Sequence, residues 1–521
     1  MIVTAASHGL VQIVSRPTRI TDKSATLIDH VYTNNLDSAL SCNILTLDLS
    51  DHLATHTKVS LRSNCDNSLR KTRLKEKVNR EFRVFNEASD TKFKELIDNE
   101  TWDVVTDDMD AQTQYTSFHD LFTVHYNTAY PLKTQQTRRK NERHKPKPWI
   151  LPWLEDACSR KNLFYHEFVK EPSTENKTRY DKMNEFCSKH VDLAKSKYYR
   201  KYLDDFKDNS KKQWQLINGL LGRNSKNKGI QKIIDKQGNI INTAGDIAEK
   251  FNEFFADIAA NLKGDSGYRD QGMHNQFMSS PVANSIFLSP VTPYDVHSVI
   301  KNFQNKATQD IKISSLKIAN ESSCFTATLA KVINKSFIEG IFPEQLKTAR
   351  VVPIHKEGSK TSVENYRPIS LLASFSKVYE KLMHYRIIKF LESNKSLSDL
   401  QYGFRQGRSC EHALLKAQDI LLDSLNTRQI SLLLLIDFSK AFDMVDHEIL
   451  LDKLEHYGVR GSSLKWMASY LNNRKQFVTI NGSDSSTKAM KFGVPQGSIL
   501  GPLLLIIYMN DVPNILPSTN S

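Results

Sequence analysis

The chain has 521 residues, 39% of them hydrophobic, which allows roughly two to four domains with ordinary cores and excludes a disordered polymer. A formal net charge of +13 favours a polyanionic partner, because each Lys or Arg that neutralises a phosphate releases a counterion. Six cysteines (Cys42, Cys65, Cys158, Cys187, Cys324 and Cys410) form no Cys-x-x-Cys pair, which argues against a disulfide scaffold or zinc ribbon and suits a reducing interior. The N-terminus lacks a basic-then-apolar signal pattern. The longest apolar run, 499–509, is broken by Gly501 and Pro502 and is too short to span a bilayer, so an intracellular chain without membrane association is expected. Composition resolves neither nucleus from cytoplasm nor the oligomeric state.

Residues 1–62 read as short β segments near Val11–Val14, Thr26–Tyr32 and Thr57–Leu61. They contain Ser24-Ala-Thr-Leu-Ile-Asp-His-Val-Tyr-Thr33 and Leu49-Ser-Asp-His52, which resemble the last two motifs of the endonuclease-exonuclease-phosphatase family in its apurinic-endonuclease-like form. The resemblance implies that Asp29 orients His52 and that Asp51 sits beside a metal, since an acid behind an imidazole fixes its tautomer. The family's upstream Glu and Asn motifs have no counterpart here. The segment is therefore expected to be a C-terminal remnant of an endonuclease sandwich that does not cut DNA.

From 63 to 285 the sequence is polar, basic and mainly helical, a connecting region with clusters at 70–77 and 138–147. Pro146 and Pro148 predict an extended linker there. Segments 195–208 and 213–221 read as amphipathic helices, and 264–285 as a loop. Tyr202-Leu-Asp-Asp205 spells a Tyr-x-Asp-Asp box, but its charged helical setting is wrong for a hairpin between apolar strands.

Beyond 286 the signals are ordered. Ser289-Pro-Val-Thr-Pro-Tyr-Asp-Val296 predicts a capped helix running through Val299 and Phe303, and Ile333 to Ile341 another, closed by Gly340 and Pro343. A strand follows at 349–356, then Asn365-Tyr-Arg-Pro-Ile-Ser-Leu-Leu372, where the proline holds Arg367 extended. The Gly- and Arg-rich Gln401-Tyr-Gly-Phe-Arg-Gln-Gly-Arg408 suits a turn that lets guanidinium groups approach a phosphate. Leu432–Ile436 predicts a strand buried on both faces that ends at Asp437, and apolar residues from Phe438 to Leu450 recur at helical spacing. Asp443 and Asp446 are placed on that helix as structural residues. Finally, Phe492-Gly-Val-Pro-Gln-Gly-Ser-Ile-Leu-Gly-Pro502 is a loop whose backbone can approach a ligand closely.

In this order, these motifs resemble the fingers and palm of reverse transcriptases from non-LTR (LINE-type, jockey-like) retrotransposons. The resemblance implies an α+β fold: right-hand polymerase fingers and a partial palm, a split βαβ sheet backed by helices, over 286–521. It implies RNA-templated DNA synthesis by two-metal phosphoryl transfer, with an RNA template, a DNA primer, deoxynucleoside triphosphates and two Mg²⁺ ions. By the same likeness Asp437 and the carbonyl of Phe438 hold metal, while Lys356 and Arg367 clamp the triphosphate. Phe442 stacks under the sugar, Gln496 and Gly497 meet the incoming nucleotide, and Arg405 and Arg408 approach the template.

No Asp-Asp pair follows Asp437. The chain is thus expected to be truncated before the Tyr-x-Asp-Asp box and catalytically defective, the alternative being a nucleic-acid-binding remnant without catalysis.

Overall fold

The computed structural model describes residues 10–21, 24–33, 39–45, 52–59, 79–136, 148–207, 209–221, 229–235, 237–264 and 276–515. Asp51, Cys65 and both basic clusters, 70–77 and 138–147, lie outside these ranges. The chain divides into two compact units, one from Met1–Arg80 and Gln135–Lys226, the other from Glu81–Thr134 and Asn227–Ser521. This division departs from the boundaries expected at 62 and 285.

The first unit holds antiparallel β pairs, the longest joining Ala39–Leu45 to Ala54–Val59. Helices Pro152–Lys170 and Thr174–Asp205 pack on each other, and the second starts where the Ser173 hydroxyl accepts the Asn176 N–H. A small core gathers Leu53, Tyr165 and Phe168. The Tyr202–Asp205 sequence forms the last turn of the long helix, a helical setting as its charged flanks predict.

The second unit is a mixture of helices and one sheet. Its helices are α1 (Glu87–Asp98), α2 (Ala111–Ala129), α3 (Ala244–Gly264), α4 (Pro293–Lys301), α5 (Ile313–Ala319), α6 (Ser323–Glu339), α7 (Ser374–Ser393), α8 (Cys410–Asn426), α9 (His447–His456), α10 (Ser462–Leu471) and α11 (Leu500–Met509). Its sheet has strands β1 (Thr348–His355), β2 (Tyr366–Leu371), β3 (Lys475–Ile480), β4 (Ser483–Asp484) and β5 (Lys488–Ala489). β1 is central, antiparallel to β2 and parallel to β3, and β3 carries β4 and β5. Thr292 caps α4 in a reciprocal pair with Asp295, and Gly340 closes α6 at φ 71°.

Two helices of the polar region expected to be a connector lie in the middle of this unit's core. Phe118 and Phe122 of α2 stand 5.4 and 5.1 Å from Phe375 of α7, ring centre to ring centre. Likewise α3 lays Phe251 and Phe255 on the face of the sheet formed by Val351, Tyr366 and Val478. Polar residues on α2 and charged ones on α3 surround an apolar stripe at helical spacing in each.

The largest departure is at Leu432–Ile436. This run is extended but pairs with none of the described strands, and its side chains are exposed, Leu432 at 96%. Nor does a helix follow directly: 439–444 form turns, and α9 starts only at His447. A continuous apolar run marks a buried strand only if a ladder partner exists on each side. In the described sheet the run joins neither edge.

Candidate nucleotide-binding site

The β1–β2 hairpin fixes the two cations assigned to the triphosphate. Ile354 pairs with Arg367 and His355 with Tyr366, and the Lys356 N–H continues the ladder to the Asn365 carbonyl at 2.8 Å. Since side chains alternate faces along a strand, Lys356 and Arg367 share one face. Burial agrees, because Pro353, Tyr366 and Pro368 are buried while Ile354, Lys356 and Arg367 are exposed. Lys356 meets Glu357 at 3.0 Å, an exposed pair of little energetic weight.

The glycine-rich loop at 492–498 joins this hairpin to the turn after Asp437. Its Gln496 carbonyl accepts the Ser370 N–H of β2 at 2.7 Å, and its Gly493 and Val494 N–H groups donate to Val445 and Phe442 carbonyls, both at 2.8 Å. Two glycines permit this close approach. At Gly493 (φ +82°) a Cβ would stand 2.9 Å from the Asp443 backbone, and at Gly497 (φ +117°) one would stand 2.6 Å from the Ser370 oxygen. Phe442 is half-buried and meets Phe404 of the 401–408 turn edge to face at 6.2 Å. Motifs spread over more than a hundred residues of sequence therefore meet in one region.

Asp437 is exposed at the end of the unpaired run, on no strand, which corrects the expectation of a rigid mount. Asp446 is the N-cap of α9, accepting the Glu448 and Ile449 N–H groups at 3.0 and 3.5 Å. Asp443, expected on a helix, lies in the turn and is largely buried, and burial pushes its carboxyl up to about 6 while Lys440 pulls it down. It lines a cavity with Phe255, Ser370, Arg474 and Gln496. That cavity opens on the α3 side of the sheet, since Val351 pairs with Ser370 on the face that α3 covers. Lys356 and Arg367 point from the opposite face, so the cavity is not where they act.

Among the described residues no three His, Cys, Asp or Glu side chains converge on a point that could hold a metal. A pair of divalent ions needs several shared carboxylates, so these residues do not fit the two Mg²⁺ ions that the resemblance implies. The two arginines expected at the template, Arg405 and Arg408, are engaged within the chain. Arg405 makes a two-pronged ion pair with Glu392 at 3.1 and 2.7 Å and donates to the Ser398 carbonyl at 2.7 Å, with its side chain only 7% exposed. Arg408 pairs with Asp399 at 2.7 Å. Arg405 braces the 398–410 turn from inside, and Arg408 ties it at the surface.

Sequence reading had no signal for Glu380. This fully buried residue of α7 accepts the Ile499 and Leu500 N–H groups at 2.7 and 3.2 Å and the Ser376 hydroxyl at 2.8 Å. In the first unit, Asp29 and His52 meet at 2.8 Å, and the His52 and Thr18 hydrogen bonds hold the Asp29 carboxyl below its ordinary range.

The hairpin, the turn after Asp437 and the glycine-rich loop meet within one α+β domain. Residues 354–520 match the family described as reverse transcriptase (RNA-dependent DNA polymerase). The chain is 32% identical over 244 residues to the probable RNA-directed DNA polymerase from transposon BS of Drosophila melanogaster, covering 45% of this chain and 26% of that protein. It is 31% identical over 246 residues to the RNA-directed DNA polymerase from mobile element jockey of the same fly, covering 47% and 27%. The jockey polymerase of Drosophila funebris is 30% identical over 239 residues, covering 46% and 26%. This part of the chain is a reverse transcriptase domain of the jockey-like, non-LTR kind. The matched segment spans about a quarter of the length of each of these relatives.

Proposed function

We propose that the domain binds a deoxynucleoside triphosphate against a primer and an RNA template, as the fingers and nucleotide-binding part of the palm in RNA-directed DNA synthesis. The observation that carries this reading is the loop at 492–498, hydrogen-bonded to the Arg367 strand on one side and to the Phe442 turn on the other. Arg367 suits a triphosphate because its planar guanidinium can donate two parallel hydrogen bonds, and Lys356 adds a point charge on the same face. Phe442 and Gln496 would contact the sugar and base, with Gly497 allowing the backbone to come close. Asp437 is the carboxylate assigned to the transfer chemistry.

In the first unit, the Asp29–His52 pair supports descent from an apurinic-endonuclease-like domain over residues 1–62. The second reading, binding of nucleic acid without catalysis, is favoured by the +13 charge.

The test of the first reading is equilibrium binding of a labelled deoxynucleotide to the full chain. Replacing Arg367 with alanine should weaken binding by about 1.5 to 3 kcal/mol, the worth of a charge-assisted hydrogen bond. Arg367→Lys should recover part of that. An unchanged Kd in Arg367→Ala removes this face of the hairpin from the site.

A further inference from the structure

The loop that carries Gln496 runs straight into α11, whose first turn is held partly by the loop's own Ser498 and partly from another helix. Ile499, at its N-cap position, has no side chain able to accept a hydrogen bond, so the first N–H groups must find a partner elsewhere. They find the Glu380 carboxylate, which comes from α7 and is wholly enclosed. An anion there is favoured by the partial positive charge of the helix end. Burial pushes the Glu380 carboxyl above its ordinary range, while the charge of Arg474, itself buried and donating to the Tyr470 carbonyl at 3.2 Å, and the hydrogen bonds from Ser376, Ile499 and Leu500 pull it back. Within the loop, the Ser498 hydroxyl donates to the Pro495 carbonyl at 2.8 Å and accepts the Gly501 N–H at 2.9 Å, making the turn stiff.

Beyond its bonds to the Phe442 turn, the loop has two anchors. One is the Gln496 carbonyl on β2, and the other is Glu380, reached three residues later. We infer that Glu380 is a positioning residue for nucleotide binding: through the N–H groups of Ile499 and Leu500 it sets where the Gln496 loop stands relative to Arg367. This rests on the reading of the loop as a nucleotide contact. Glu380 itself touches no substrate. A side chain unable to accept those hydrogen bonds leaves two N–H groups unpaired in a closed space, and the loop must move to satisfy them.

The experiment uses the full chain in three forms: Glu380→Ala, Glu380→Gln and Ile387→Ala. The last empties the same buried helix two turns further on and serves as the control for lost packing. Amide hydrogen exchange is followed across 494–501, and binding of a labelled deoxynucleotide is measured in parallel. In Glu380→Ala, exchange at Ile499 and Leu500 should accelerate and affinity fall by about tenfold. Glu380→Gln should restore both, because its amide oxygen accepts the same two bonds. Ile387→Ala should leave the loop's exchange and affinity near those of the unaltered chain.

Equal loss of affinity in Ile387→Ala would reduce Glu380 to a packing residue and overturn the inference. So would unchanged affinity in Glu380→Ala while Arg367→Ala still weakens binding. If the unaltered chain binds no deoxynucleotide, the reading of the site itself fails, and the role given to Glu380 fails with it.

Discussion

Asp443 is a carboxylate placed where a charge is costly. Burial raises its pKa from 3.8 to about 6, so the folded state holds the proton more tightly than the unfolded chain does. A group raised in this way favours folding below about pH 4, and that contribution is lost as pH rises through 6. The loss from this group should amount to roughly 2–3 kcal/mol between those limits. Asp443→Asn carries no such charge. Urea unfolding of both chains from pH 4 to 8 should therefore show the variant gaining on the parent as pH rises, and parallel profiles would mean that Asp443 is not desolvated. The motif likeness set Asp437 apart from Asp443 and Asp446, but nothing in the sequence distinguished the last two from each other, because they are the same residue type within one short stretch. The turn at 439–444 buries one, the cap of α9 uses another, and the third is left exposed. The same limit hid the fate of Arg405 and Arg408. A guanidinium in a glycine-rich turn reads as a phosphate contact until the carboxylates of Glu392 and Asp399 are seen beside it.

Among the elements, those whose signals are local agree with their sequences. The Thr292–Asp295 cap, the glycine end of α6 and the strand at 348–355 depend on neighbours a few residues away. Leu432–Ile436 depends on strands that must come from elsewhere, and its apolar composition alone does not supply them. The loop at 492–498 lies between these cases: its glycines mark a close approach, but not what is approached. Gly497 shows the difference. Gly497→Ala would suffer backbone strain at φ +117° and would also push a Cβ to 2.6 Å from the Ser370 oxygen. Gly482→Ala provides the comparison, since Gly482 has φ +91° and nothing within 4 Å of a Cβ. Both should lose about 1–3 kcal/mol of stability in urea unfolding, from the left-handed backbone. Deoxynucleotide affinity should fall in Gly497→Ala alone, because only there is the loop displaced from β2. Equal affinity in the two variants would show that the loop's contact with β2 does not matter for binding.

On the scale of the whole molecule, the net charge of +13 predicts an interaction that no single site accounts for. A chain that neutralises phosphates gains mainly from the release of condensed counterions, and that gain shrinks as salt rises. For a single-stranded RNA the slope of log affinity against log salt is about −0.7 per phosphate neutralised, so about six contacts would cost roughly 300-fold between 50 and 200 mM salt. Filter binding of a short RNA over that range should show such a fall. The clusters at 70–77 and 138–147 are the densest runs of cations, and the second offers a direct test. Replacing Arg138, Arg139 and Lys140 together by alanine should reduce the slope by about 2 units if all three meet phosphates, while lowering affinity similarly for every RNA sequence. Arg367→Ala should leave this slope within about one unit, since a triphosphate clamp contributes at most one such contact to RNA binding. Affinity independent of salt would show that the charge is not used for nucleic acid. A triple variant with the parent's slope would move the contact surface away from 138–147, to the basic and aromatic residues of the long helix Thr174–Asp205, where Lys195, Lys197, Arg200 and Lys201 stand within two turns.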